Sequence, residues 1–304
     1  MMGISMTQDT ASPQLQLHQY LTSKESIHIR YGVFGHKQPS QHILLFILGR
    51  GEWIEKYISV YEEFYKKLQS TIIIVDHVGQ GASGGIPGHI NSYDDYISHL
   101  SQLIAANYKK HTYSIVAHSM GGLIALYGTL KQQFCPQKMI LSAPLIGLPQ
   151  KPVPRLLARP TSHFLSQLGM ERLPTMVKSE IRYSFVKNRL TSDKEKYRFI
   201  QATPYPISSP TFGWVQATFQ ACEFIHYDTN ISHLCAPILI FYGGREKVVS
   251  PSSIQRWVKT ARKLSSSTIE LVHFRDARHE VFMESEDILK KALKRSVEFL
   301  SVPS

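Results

Sequence analysis

The stretch Ile115-Val116-Ala117-His118-Ser119-Met120-Gly121-Gly122 constrains this chain more than any other. An apolar run from Tyr113 to Ala117 has the character of a buried strand. It ends in a small-X-Ser-X-Gly turn, and helical spacing follows from Gly122 to about Phe134. Strand, sharp turn and helix in that order can hold a serine on a strained backbone, with its hydroxyl out above a sheet. Small residues at 117 and 121 let strand and helix approach closely. The helix aims its N-terminal N–H groups at the same point, which favours negative charge developing there. The same residues also fit an ordinary strand-to-helix turn with a capping serine. The rest of the chain must therefore supply a base, an acid and donors for an oxyanion.

Apolar runs alternate with helical patterns around this stretch. Ile27, Ile29, Tyr31 and Val33 alternate with His28, Arg30 and Gly32, as in a half-exposed strand near a sheet edge. His42 to Leu48 and Thr71 to Val75 read as buried strands. The first runs into Gly49-Arg50-Gly51-Glu52, the second into the glycine-rich Asp76 to Gly85. Between them Trp53, Tyr57, Tyr61, Phe64 and Leu68 recur at helical spacing, with Lys and Glu on the other side. Ser92 to Ala106 predicts a helix opened by a Ser92/Asp95 capping box. Lys138 to Ser142 is a further strand. Such alternation predicts the α/β class: a mostly parallel sheet flanked by helices, with functional loops at the carboxyl ends of its strands.

The alternation stops at Ala143. From about 145 to 235 there are short helical patterns and the prolines 149, 152, 154, 160, 174, 204, 206 and 210. A strand pattern resumes at Pro237 to Tyr242, then come a helix, a strand near Ile269 to Phe274 and a terminal helix near Glu286 to Leu300. The expected organisation is a core over 1–144 and 236–304, with a helical cap inserted over 145–235. Residues 1–13 read as a loose tail.

A composition of 43% hydrophobic residues in 304 allows a large core. The N-terminal residues lack the apolar region of a signal peptide, and no run has transmembrane length. Cys135, Cys222 and Cys235 are odd in number and lack metal-ligand spacing, which fits a reducing compartment. The expected location is cytoplasmic, with the inner face of a membrane as a place of peripheral contact. The formal charge is +11, and residues 145–200 hold 11 Lys/Arg against 4 Asp/Glu. That stretch is either a solvated basic face or one drawn to an anionic surface. Lipid is favoured there, because no nucleic-acid-binding motif accompanies the charge.

A serine hydroxyl needs a base, and the base needs a carboxylate to hold its tautomer. Both stand in chain order after Ser119. Glu246 follows the strand ending at Tyr242, and His279 follows the next strand. Asp276 competes as the acid from the His279 loop but is expected to point elsewhere. Asp76 is expected to fix its glycine-rich turn. His118 adjoins Ser119 and is badly placed to face the same hydroxyl, and Glu280 is expected to be a solvated neighbour. Two backbone N–H groups are needed for the oxyanion: Met120, after the nucleophile, and Arg50, in the glycine-bracketed loop. The Arg50 side chain either reaches the site mouth or is solvated.

Four motifs carry a family resemblance: Leu48-Gly49-Arg50-Gly51-Glu52, Asp76-His77-Val78-Gly79-Gln80-Gly81-Ala82-Ser83, Ala117-His118-Ser119-Met120-Gly121-Gly122, and Ala277-Arg278-His279-Glu280. With them the chain resembles the lysophospholipase and monoacylglycerol lipase branch of the serine α/β-hydrolases, over roughly residues 25 to 300. It is most similar to bacterial lysophospholipases associated with the inner membrane. The segments Leu190 to Asp193 and Ser209 to Trp214 look like that subgroup's cap. The resemblance implies Ser119, Glu246 and His279 as a triad, and Arg50 and Met120 as oxyanion donors, with no cofactor or metal. Position 117 is Ala where many relatives have Gly, and 246 is Glu where many lipases have Asp. Leu48 replaces the His common in monoacylglycerol lipases, which favours the lysophospholipase subgroup.

The expected activity is hydrolysis of a carboxylic ester in a single-acyl lipid, foremost a lysophospholipid. Trp214, Leu156, Leu157, Phe164 and Leu165 would line an apolar groove, unless they are plain cap core. Lys151, Arg155 and Arg159 would hold the cap at an anionic bilayer. The alternatives are a monoacylglycerol lipase, a small-ester carboxylesterase, an aminopeptidase, acyl transfer to another lipid, and a ligand-binding module without turnover. Oligomeric state stays open.

Overall fold

The computed structural model describes residues 13–24, 26–35, 39–147, 169–175 and 180–302. Its strands are β1 (Gln14–Leu21), β2 (His28–Gly35), β3 (His42–Ile47), β4 (Thr71–Val75), β5 (Thr112–His118), β6 (Met139–Ser142), β7 (Ile238–Gly243) and β8 (Ile269–Phe274). They form one sheet in the order β1-β2-β4-β3-β5-β6-β7-β8. The β1–β2 and β2–β4 pairs are antiparallel. From β4 to β8 every pair is parallel. This is the α/β architecture expected from the alternation.

The central strands are dominated by apolar residues because both of their faces are covered. In β3, Ile43, Leu45 and Ile47 pack into one core with Ile73, Val75 and Ile115. Leu44 and Phe46 pack into the other with Ile72, Ile74 and Val116. Helices α1 (Ile58–Leu68), α2 (Tyr93–Asn107) and α3 (Met120–Leu130) provide cover. Tyr61 and Phe64 of α1 close the second core, and Tyr96 and Leu100 of α2 close the first. The Ser92 capping box opens α2.

Two elements differ from expectation. β1 escapes a reading for buried runs because it buries little: Leu17 is 49% exposed. Pairing with β2 along its whole length holds it. It forms the sheet edge, and β2 lies beside it, near the edge as expected. Helix α3 starts at Met120, not Gly122, because the Ser119 carbonyl already accepts N–H groups from Gly122 (3.0 Å) and Leu123 (3.3 Å).

Between β6 and β7 the described residues form short 3-10 turns at Glu180–Arg182 and Phe185–Lys187, then α4 (Lys194–Gln201), α5 (Phe212–Phe224) and α6 (Asp228–Ile231). Asp193 caps α4 and Thr211 caps α5. This segment is tied to the sheet's carboxyl end. Thr211 N donates to Gly88 O (3.0 Å), and Glu280 N donates to Leu190 O (2.8 Å). Leu156, Leu157, Phe164, Leu165, Lys151, Arg155 and Arg159 lie outside the described residues. Helices α7 (Pro251–Leu264) and α8 (Glu286–Ser301) complete the chain. Among the described residues, no helix is long and apolar enough to cross a membrane.

Candidate active site

Ser119 sits between β5 and α3 with φ 51° and ψ −114°. A non-glycine residue held there costs about 1–3 kcal/mol, so its surroundings must enforce the turn. They do so through the backbone. Ser119 N donates to Ser142 O (3.0 Å), and Ser119 O also accepts Leu145 N (2.9 Å). A Cβ on Gly121 would lie 2.0 Å from Ile47 O, and one on Gly122 would lie 2.6 Å from Pro144 Cβ. The small residue at 121 thus serves the contact between α3 and the end of β3, the neighbouring strand.

His279 comes from the loop after β8 and Glu246 from the loop after β7. His279 Nε2 lies 2.9 Å from Ser119 Oγ, and Nδ1 lies 2.7 Å from Glu246 Oε2. With the ring proton on Nδ1 toward the carboxylate, Nε2 is left to accept the serine hydroxyl. The other Glu246 oxygen accepts Val248 N (2.6 Å) and Val249 N (3.1 Å). Burial pushes the Glu246 carboxyl up, but His279 and those two N–H groups outweigh it and hold the carboxyl below its usual value. Burial likewise opposes the His279 imidazolium. Glu246, with Glu280 and Glu52 behind it, outweighs that and raises the His279 pKa. Asp276 points outward, where it meets Arg245 (3.1 Å).

The loop after β3 is held at both flanks of Arg50. Gly49 N donates to Glu52 Oε2 (2.5 Å), and Gly51 N donates to Gln80 Oε1. This arrangement presents the Arg50 peptide between two anchored neighbours. Met120 opens α3, so its N–H is among the first-turn donors that have no acceptor inside the helix. The Arg50 guanidinium turns inward. It donates to Ser208 O (3.1 Å) and lies 5.5 Å from the Trp214 ring centroid, and burial lowers its pKa. Trp214 itself is buried in α5. Asp76 does fix its turn, accepting from Ala82 N (2.9 Å), Ile54 N (3.0 Å) and Arg30 Nε (2.7 Å).

Glu280, expected to be a solvated neighbour, is instead buried at 4% exposed, and Lys56 is buried to the same extent. Lys56 Nζ lies 2.7 Å from Glu52 Oε1 and 2.6 Å from Glu280 Oε2. Tyr57 OH also donates to Glu52 Oε1 (2.6 Å). Burial raises the Glu52 carboxyl, but Lys56 outweighs it and brings the pKa to about 2. Glu280, which shares the same ammonium, stays above its usual value because of burial. Among the described residues, Glu52, His118 and Glu280 are the group with metal-ligand spacing. The Lys56 ammonium stands between the two carboxylates, so the chain itself supplies the cation there. Sequence reading missed Gln80 and this cluster. The one local signal was Glu52 and Lys56, four residues apart.

A family model described as serine aminopeptidase, S33, matches residues 38–286. A probable lysophospholipase L2 of Haemophilus influenzae is 26% identical, over 94% of this chain and 92% of that protein. Lysophospholipase L2 of Escherichia coli is 24% identical, over 92% and 86%. Among solved structures, a soluble variant of monoglyceride lipase from Saccharomyces cerevisiae, in complex with a substrate analog, superposes with a TM-score of 0.74. That match has 20% identity and covers 96% of this chain and 97% of the lipase, a likeness of fold.

Proposed function

The chain belongs to the serine aminopeptidase S33 family of α/β-hydrolases and is a carboxylic ester hydrolase; we propose that it cleaves a single-acyl lipid, foremost a lysophospholipid, through Ser119, His279 and Glu246. The observation that carries this reading is the unbroken hydrogen-bond path from Ser119 Oγ through His279 to Glu246, at 2.9 and 2.7 Å. Ser119 Oγ attacks the ester carbonyl while His279 Nε2 takes its proton. Glu246 keeps the Nδ1 proton in place and stabilises the imidazolium. The tetrahedral oxyanion receives the Arg50 and Met120 N–H groups, and losing one such donor typically costs about 3–4 kcal/mol in the barrier. His279 then protonates the departing alkoxide. The same ring activates the water that releases the fatty acid.

The lipid substrate is supported by the lysophospholipase names of the bacterial relatives and by Leu48 at the head of the oxyanion loop. In this reading residues 145–235 form a lid over the core halves 1–144 and 236–304. Trp214 stands at the acyl groove, and the net positive charge of this segment is drawn to an anionic membrane surface at the cytoplasmic face.

Fatty-acid release from a lysophospholipid, a monoacylglycerol and a short-chain ester, compared with the Ser119→Ala variant, tests the proposal. The expected result is release that is fastest from the lysophospholipid and absent in the variant. Ser119-dependent release from the short ester alone would discard the lipid assignment. A second reading, removal of an N-terminal amino acid, is favoured by the family's description and by Glu180. One oxygen of that carboxylate is buried without a hydrogen-bond partner. The other oxygen faces Arg189 at 3.6 Å, and in this second reading the unpartnered one receives the substrate amine. Turnover of an amino-acid arylamide ahead of all three esters would establish that alternative.

A further inference from the structure

Glu52, Lys56 and Glu280 place one ammonium and two carboxylates in the protein interior, each at most 5% exposed. Such a buried group is poorly explained as a source of stability, because well-packed apolar side chains often do as well or better. Its connections suggest another role. Glu52 Oε2 takes the Gly49 N–H, directly ahead of the Arg50 peptide. Glu52 Oε1 takes Lys56 Nζ and the Tyr57 hydroxyl. From Lys56 the path continues to Glu280, the residue that follows His279 in the chain. Glu280 N is in turn held by Leu190 O (2.8 Å). His118 fills the space between, with Nε2 3.8 Å from Glu52 Oε1 and its ring centroid 4.7 Å from that of His279.

We propose that Lys56 is a positioning residue: its ammonium fastens the loop that presents the Arg50 N–H to the loop that presents His279, so that oxyanion donor and base keep a fixed separation. This rests on the assignment of Ser119, His279 and Glu246 above. Lys56 touches no reacting atom. Its effect passes through Glu52 to the Gly49–Arg50 backbone, and through Glu280 to His279. An unfastened loop weakens binding to the developing oxyanion more than binding to the ground-state ester, so the loss should fall on kcat and spare KM.

The test compares Lys56→Met, Lys56→Arg and Glu280→Gln in the full chain, using an ester that the wild type hydrolyses in a Ser119-dependent manner. Thermal unfolding of each variant verifies that it is folded. Lys56→Met should lower kcat by about 10²-fold, the scale of losing one oxyanion donor, with KM within about threefold. Lys56→Arg, which keeps the charge, should return kcat to within about tenfold of wild type. Should Lys56→Met not fold, Glu280→Gln decides by the same measure. It keeps the Lys56–Glu52 pair and should lower kcat by about tenfold with KM unchanged, because only one of the two connections is cut. A folded Lys56→Met with wild-type kcat overturns the proposal. So does a variant whose melting temperature alone falls, or whose kcat and KM change together. Hydrolysis that survives Ser119→Ala would instead overturn the triad assignment on which this rests.

Discussion

Two corners of the site each present a buried histidine, and the rings stand 4.7 Å apart. His118, at the end of β5, has its pKa lowered to about 3, because burial dominates. His279, in the loop after β8, has its pKa raised. Burial opposes the charged form at both positions, so the difference lies in the partners. His279 Nδ1 meets a Glu246 carboxylate whose charge is not neutralised by any lysine or arginine among its described contacts. His118 Nδ1 meets only the Ser142 carbonyl (3.1 Å). Its nearest carboxylate, Glu52, is already bound to Lys56 at 2.7 Å, and that lysine also repels an imidazolium at 118. In the proposed site, then, the histidine suited to act as base is the one with an unclaimed carboxylate aimed at its ring, and standing next in sequence to Ser119 does not give His118 that property.

The largest test of this contrast is His279→Ala, which should lower kcat by about 10⁴-fold or more with the short ester. Next comes Glu246→Gln. It keeps the shape but not the charge, and a loss of about 10³–10⁴-fold in kcat is expected. The pH profile sharpens the comparison further. The His279 pKa is raised, so activity should fall away as pH drops through a value above the ordinary imidazole value of about 6.5. In Glu246→Gln the main raising influence is gone, so the residual activity should persist to lower pH than in wild type. An acid limb that stays in place would break the link between the carboxylate and the base. The smallest effect belongs to His118→Asn, with a loss of less than about tenfold and an unmoved acid limb. A collapse as deep as that of His279→Ala would mean that the two corners had been told apart wrongly.

Much of the fold was legible because parallel strands buried on both faces must be continuously apolar. β3, β4, β5 and β7 stand out in the chain for that reason. β1 does not, because its strand state comes from pairing with β2 and not from burial. Ser119, Glu246 and His279 were legible as an ordered set, each in the loop or turn after a strand. The Asp276 ambiguity could be read only weakly, since two carboxylates in neighbouring loops differ in direction, which sequence does not express. Glu280 was read as solvated, and Lys56 drew no notice, because charged residues at helix and loop positions are usually exposed.

The chain's own pattern of apolar runs, turn glycines and a small-X-Ser-X-Gly turn thus determined the buried strands, the order of elements around them and the sheet end that carries Ser119, Glu246 and His279. These are local properties, set by burial on a strand's faces and by backbone sterics at a turn. Which charges are paired was decided only by the tertiary structure. Ser119 and His279 are 160 residues apart in the chain and 2.9 Å apart in space. Whether a buried carboxylate answers to a histidine or to a lysine depends on contacts of that kind, because electrostatic interaction in the interior is set by separation in space and by exclusion of water.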